Sequence, residues 1–176
     1  MLKQAATYDE LCRDFRWDIP ARFNMATACC DRHADGSGRL ALVYVDEDGG
    51  TTRTSFDEVA DASRRFANVL TADGLVRGDR VAVFLSQSLE LPVAHLAAFR
   101  AALISIPLFA LFGEDALEFR LSNSAAKAII TDEAGWEKIA KIRDRLPELK
   151  SVYIVGDETP PGTKPFWGAI KSADRK

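Results

Sequence analysis

RVAVFLSQSLELPVAHLAAFRAALISIPLFALFGEDALEFRLSNSAAKAIITD, residues 80–132, decides the fold. Its first six residues, Arg80 to Leu85, are almost all apolar and rich in valine. A strand reads so when it is covered on both faces. Residues 88–103 follow with helical spacing; Ser86 or Ser88 is expected to cap them, and Pro92 falls in the first turn, where a missing amide costs least. Leu103 to Pro107 reads as a second buried strand. Glu114 to Ser124 reads as a helix with acid at its positive end. Residues 127–132, KAIITD, form a third strand. Strand, helix, strand, helix, strand with continuous apolar strands predicts parallel β-α-β units covered by helices on both faces. One segment resists this reading. Leu108 to Phe112 is apolar, yet Pro107 and Gly113 mark it as a loop.

The pattern extends in both directions. Asp132 caps a helix expected to run to about Leu146, with Pro147 just past it. Residues 151–156, SVYIVG, give a fourth strand. Upstream, residues 8–17 and 23–34 read as short helices. Residues 39–54 read as a hairpin around Asp48-Gly49-Gly50. Ser55 and Glu58 form a capping box for a helix with Val59, Ala60, Phe66, Ala67 and Leu70 on one face, and Gly74 ends it. After residue 156, Pro160, Pro161, Gly162 and Pro165 read as a linker over 157–176, with a short helix start at 166–170. The expected fold is therefore α/β, a mostly parallel sheet flanked by helices, preceded by a helical segment and a β-hairpin.

Composition removes several functions. The 176 residues carry a net charge of −3, so no electrostatic footprint for nucleic acid is present. No apolar run has the length that spans a bilayer, so no membrane partner is expected. Three cysteines, Cys12, Cys29 and Cys30, lack metal-ligand spacing and read as small buried thiols of a cytoplasmic protein. No metal site is expected, and Asp46, Glu47 and Asp48 read as a solvated turn. No Walker loop, dinucleotide loop, Gly-x-Ser-x-Gly elbow or Cys-x-x-Cys is present. His33 sits at a helix end and His95 within a helix, neither paired with a nucleophile. No catalytic residue is assigned.

Residues 78–85, GDRVAVFL, together with residues 95–132 resemble the N-terminal part of the AMP-forming acyl-CoA synthetases. The pieces that carry the resemblance are Gly78-Asp79-Arg80-Val81, Pro107-Leu108-Phe109 with Phe112-Gly113, and Ala126-Lys127 leading into Ile130-Thr131-Asp132. The acetate and medium-chain branches are closest. The resemblance spans roughly residues 8–156 and implies the leading α/β subdomain, 1–156, of a longer enzyme, an incomplete subdomain by itself. Such enzymes join a carboxylic acid to coenzyme A through an acyl-adenylate, releasing pyrophosphate and AMP. ATP, magnesium and CoA are thus implied for the parent, and none for this piece. The phosphate loop and catalytic lysine of the family are not found in the chain, so the piece is expected to be inactive, with 157–176 leading toward the ATP-binding region. A free-standing doubly wound binding or interaction module is the alternative.

The resemblance also speaks to the apolar loop. In acetate-type relatives the matching loop lines the path of the pantetheine arm of CoA. This implies CoA contacts at Phe109, Ala110, Leu111, Phe112 and Gly113. The competing reading packs Phe109, Leu111 and Phe112 under the helix at 114–124. Lys138 and Lys141 could reach the nucleotide end of CoA or simply form a solvated helix face. Arg120 reads as an ion pair or a loop anchor. A piece cut from the longer enzyme that the resemblance implies is expected to bare apolar surface and open strand edges, and so to self-associate.

Overall fold

A computed structural model describes residues 4–46 and 48–174. Its centre is a five-stranded parallel sheet: β3 (Arg80–Phe84), β4 (Ile104–Pro107), β5 (Ala128–Asp132), β6 (Ser151–Val155) and β7 (Lys164–Pro165). The order across the sheet is β4-β3-β5-β6-β7, with every neighbouring pair parallel. Upstream lie α1 (Tyr8–Asp14), α2 (Met25–Cys29), an antiparallel hairpin of β1 (Leu40–Val45) and β2 (Thr51–Ser55), and α3 (Phe56–Ala72). The crossovers are α4 (Glu90–Arg100), α5 (Glu114–Ser124) and α6 (Glu133–Ile142), and α7 (Phe166–Ser172) closes the described chain.

Strand side chains alternate between two cores, because successive residues point to opposite faces. Val81, Val83, Ala128, Ile130 and Tyr153 pack with α3, α4 and α7. Ala82, Phe84, Ile129, Val152 and Ile154 pack with α5 and α6. Covering both faces is what makes the strands read as unbroken apolar runs. β4 departs from that expectation. It is an edge strand, and Ile104 is 52% exposed.

The sequence motif at residues 78–81 fastens this sheet. Gly78 takes a positive φ of 87° and donates its amide to Ala102 O at 3.0 Å. The Asp79 carboxylate accepts from Val76 N at 2.9 Å and pairs with Lys127 at 2.9 Å. Arg80 donates to Ser124 O at 2.6 Å and Ala125 O at 3.0 Å, capping the free carbonyls at the end of α5. Arg80 and its neighbours therefore link the start of β3 to the start of β5 and the end of α5.

Several local expectations change in the folded chain. Residues 23–34 do not form one helix. Asn24 caps α2, and at Cys30 the backbone leaves helical geometry before a short 3₁₀ turn at Asp31–His33. There the Asp31 carboxylate is gripped by both Arg100 nitrogens, at 2.7 and 2.6 Å, and by Arg64 at 3.0 Å. Neither Ser86 nor Ser88 caps α4, whose N-cap is Leu89. Only Cys30 of the three cysteines is buried; Cys12 and Cys29 lie on short helices exposed to solvent. α6 stops at Ile142 and tightens into a 3₁₀ turn, Arg143–Arg145.

The segment read as a linker contributes to the fold. β7 extends the sheet beside β6, and Phe166 is fully buried against Phe66, with ring centroids 4.6 Å apart. Pro165 hid this strand: it sits at the sheet edge, where its missing amide leaves no bond unmade. An ionic clasp backs the packing. Asp73, just past α3, accepts hydrogen bonds from Ser151 at 3.0 Å, from the Tyr153 hydroxyl and from the Lys164 ammonium. Burial pushes the Asp73 carboxyl up, but the bonds from Lys164, Tyr153 and Ser151 outweigh it and hold it below the usual carboxylate range. Its folded pKa is depressed, so its contribution is present above the unfolded pKa of about 4 and lost as pH falls through the lower folded value. Asp73→Asn should flatten the acid limb of the stability–pH profile and cost about 1–3 kcal/mol near neutrality, measured by urea unfolding across pH 2–7.

Three helices end alike. Leu75, Leu103 and Ala126 donate to Leu70, Ala98 and Leu121 carbonyls, while Gly74, Ala102 and Ala125 donate to Thr71, Phe99 and Ser122 carbonyls. This is the Schellman pattern, which needs a left-handed residue. Gly74 meets it freely at φ 86°, but Ala102 and Ala125 adopt φ 55° and 48° despite their β-carbons. Replacing either alanine with glycine should raise stability by about 0.5–1 kcal/mol, since the steric cost removed exceeds the added chain entropy. Gly74→Ala should lower it by about 1 kcal/mol.

Candidate functional site

In an open sheet of this winding, the connections leaving neighbouring strands part to opposite faces at one point. β3 leads into α4 on one face and β5 into α6 on the other. The crevice beyond their carboxyl ends is where such folds take ligands. The apolar loop after β4, residues 108–113, borders this place, because Lys138 of α6 joins it to Phe84 at the end of β3. The Lys138 ammonium donates to Ala110 O at 3.3 Å and Phe112 O at 3.2 Å, and lies 5.5 Å from the Phe84 ring centroid. Lys138 is therefore not part of a solvated face. Lys141 is exposed and pairs with Glu114 at 2.7 Å.

The loop residues divide. Leu108 is buried in the core under α5 and α6. Phe112 is half-buried against that core, and the Arg120 guanidinium lies 4.1 Å from its ring centroid. Arg120 is thus a loop anchor, working through a cation–π contact. Phe109 and Leu111 do not pack under α5. They are 62% and 78% exposed, and the Phe109 ring meets Phe112 edge-on at 5.8 Å. Ala110 is half-buried. A Cβ at Gly113 would meet nothing within 4 Å, and its φ of −81° suits any residue. Neither packing nor backbone strain requires glycine there. The amides opening α5 receive no side-chain cap, and its first turn carries Glu114 and Asp115. A cavity of about 460 Å³ lies beside them, lined by Gly113, Glu114, Asp115, Ala116 and Lys138.

Two buried hydroxyls near these strand ends find no protein partner: Thr131 Oγ1 on β5 and Ser88 Oγ after β3. Thr131 is sealed by Gly135, where an added Cβ would fall 1.9 Å from its oxygen and 2.9 Å from Phe84. Asp132 caps α6 through Gly135 N at 2.7 Å. Close approach of α6 to the strand ends thus depends on that one missing side chain, which the sequence reading passed over. His95 is half-buried and shares a 2.6 Å hydrogen bond with Ser105 of β4; burial pushes its pKa down. His33 is 3.2 Å from an Arg39 nitrogen, and its ring lies tilted against Phe56 at 4.9 Å. Among the described residues, no group of three His, Cys, Asp or Glu could hold a metal ion. No helix among them is long and apolar enough to cross a membrane.

The class these features define is a doubly wound α/β fold with an apolar loop displayed at the carboxyl edge of its sheet. The chain belongs to the AMP-binding enzyme family, which it matches over residues 30–175. It is 38% identical over 168 residues to an acetyl-coenzyme A synthetase of Bacillus subtilis, covering 89% of this chain and 29% of that protein. It is 32% identical over 173 residues to the mitochondrial acyl-coenzyme A synthetase ACSM3 of Rattus norvegicus, covering 94% and 29% respectively. The crystal structure of a Brucella canis acyl-CoA synthetase superposes with a TM-score of 0.83 at 30% identity, over 96% of this chain and 32% of that one. The chain thus spans under a third of the length of these relatives, and its fold is that of the N-terminal domain of acyl-CoA synthetases.

Thr131→Val should stabilise the protein by about 1 kcal/mol by removing an unpaired buried hydroxyl of the same shape. Gly135→Ala should destabilise it by about 1–3 kcal/mol through overpacking. Urea denaturation of both variants checks the pair.

Proposed function

We infer that the chain is the leading subdomain of an AMP-forming carboxylate–CoA ligase, and that its loop at residues 109–113 borders the path of the pantetheine arm of CoA. The observation that carries this is the display of Phe109 and Leu111 to solvent beside a glycine that the fold does not need. A thin, largely uncharged arm takes contact energy from such an apolar wall and from open backbone at Gly113. The acids opening α5 disfavour phosphate at the same spot. CoA phosphates therefore lie away from Glu114 and Asp115, and the arm alone passes the loop. Phe109→Ser with Leu111→Ser should weaken pantetheine binding about tenfold by calorimetry while stability stays within about 0.5 kcal/mol, because neither side chain is core. Unchanged affinity would contradict the reading.

ATP, magnesium and the carboxylic acid act in the longer parent. Adenylation needs charge neutralised on the phosphates, and the chain offers no phosphate loop for it. The 176 residues themselves are proposed to be inactive. Mixing them with ATP, magnesium and a fatty acid should release no pyrophosphate, and release above background would contradict this. A cytoplasmic setting is proposed from the free thiols Cys12, Cys29 and Cys30.

Self-association is proposed on area. A compact protein of 19.4 kDa exposes about 8,500 Å². This chain exposes 11129 Å², an excess of a size that a large interface buries. Phe15, Trp17, Ile19 and Phe23 supply much of the bare apolar surface, at 39%, 80%, 76% and 67% exposure. A second copy covering this arm is the proposed occupant. Sedimentation at high concentration should show dimers or larger species; a strictly monomeric boundary would contradict it.

A further inference from the structure

We propose that Lys138 is a positioning residue: with Arg120 it locks the loop from Leu108 to Gly113 in the form that displays Phe109 and Leu111, and so sets affinity for an uncharged arm without touching phosphate. The proposal rests on the reading of this groove as a path for CoA. Its geometry is direct. The Lys138 ammonium reaches two carbonyls of the loop, Ala110 O at 3.3 Å and Phe112 O at 3.2 Å. Its position over the Phe84 ring, 5.5 Å away, holds the stem against the end of β3. Arg120 also grips the loop, through the Phe112 ring at 4.1 Å, and is itself steadied by a 3.1 Å bond to Ala116 O.

These two cations restrain one turn. The Phe112 amide donates to Phe109 O at 2.9 Å, closing it. Leu111, between the two carbonyls that Lys138 holds, is left 78% exposed. Exposed aromatic and leucine side chains would otherwise fold back onto apolar surface, so a loop that shows them needs restraint from its backbone. A lysine whose donors are committed to carbonyls is poorly placed to serve a phosphate. The surrounding charge agrees, since Glu114 and Asp115 open α5 and Lys141 is already paired to Glu114 at 2.7 Å.

The test uses Lys138→Met, which keeps the stem over Phe84 and removes the ammonium, and Lys138→Arg, which keeps a donor within reach of both carbonyls. Amide exchange by NMR is read at Phe112, with Ile129 and Ile130 of β5 as internal references for global opening. Affinities for pantetheine and for CoA are measured in parallel. The expected result for Lys138→Met is Phe112 exchange about tenfold faster with the β5 amides unchanged. Both ligands should weaken by the same factor, about five- to tenfold. Lys138→Arg should restore both readouts. Phe112 exchange within twofold of the parent in Lys138→Met would overturn the proposal. So would loss of CoA affinity with pantetheine unaffected, the signature of a phosphate contact. If the unaltered chain takes neither ligand, the reading of the groove fails instead, and the exchange rates alone decide whether Lys138 holds the loop.

Discussion

Everything in this chain follows from burying both faces of β3 and β5. Val81 and Val83 look toward α3 and α4, while Ala82 and Phe84 look toward α5 and α6. A strand covered twice must have helices arriving from both sides, and a parallel neighbour requires a crossover to reach it. That constraint places α4 on one face and α6 on the other, and so opens a crevice at the carboxyl ends of the two central strands. The apolar loop after β4 lies at that edge, where Lys138 joins it to Phe84.

Much of this was legible in the sequence because local chemistry and global packing agree. The capping box is formed as read: the Ser55 hydroxyl accepts from Glu58 N, and Glu58 Oε2 accepts from Ser55 N at 2.7 Å. Asp132 caps α6, and β3, β5 and β6 lie within a residue of their expected limits. What escaped notice was set by partners distant in sequence. An edge strand and a central strand look the same when both are apolar, so β4 reads as buried from sequence. Cys30 breaks a helix next to Asp31, whose partners Arg64 and Arg100 lie far along the chain. β7 is two residues, one of them a proline, and only Phe166 filling the core against Phe66 gives it a reason to exist.

The site was half legible. Apolar residues between Pro107 and Gly113 posed the question, but sequence could not divide them. Leu108 and Phe112 serve packing, while Phe109 and Leu111 face solvent. Periodicity does not distinguish the two in a loop, since no repeating geometry relates one side chain to the next. Lys138 illustrates the same limit. Resemblance placed it near a nucleotide, whereas its ammonium is spent on two carbonyls of the loop. What the lysine holds had to be read from distances.

The account turns on whether that greasy turn meets the thiol-bearing arm of CoA. Titrating isotope-labelled chain with pantetheine, and following backbone amide shifts, asks this directly. Saturable shifts centred on residues 109–113, with those of the β1–β2 hairpin unmoved, are predicted. Shifts absent from the loop at saturating pantetheine, or confined to a different face, would contradict the central claim.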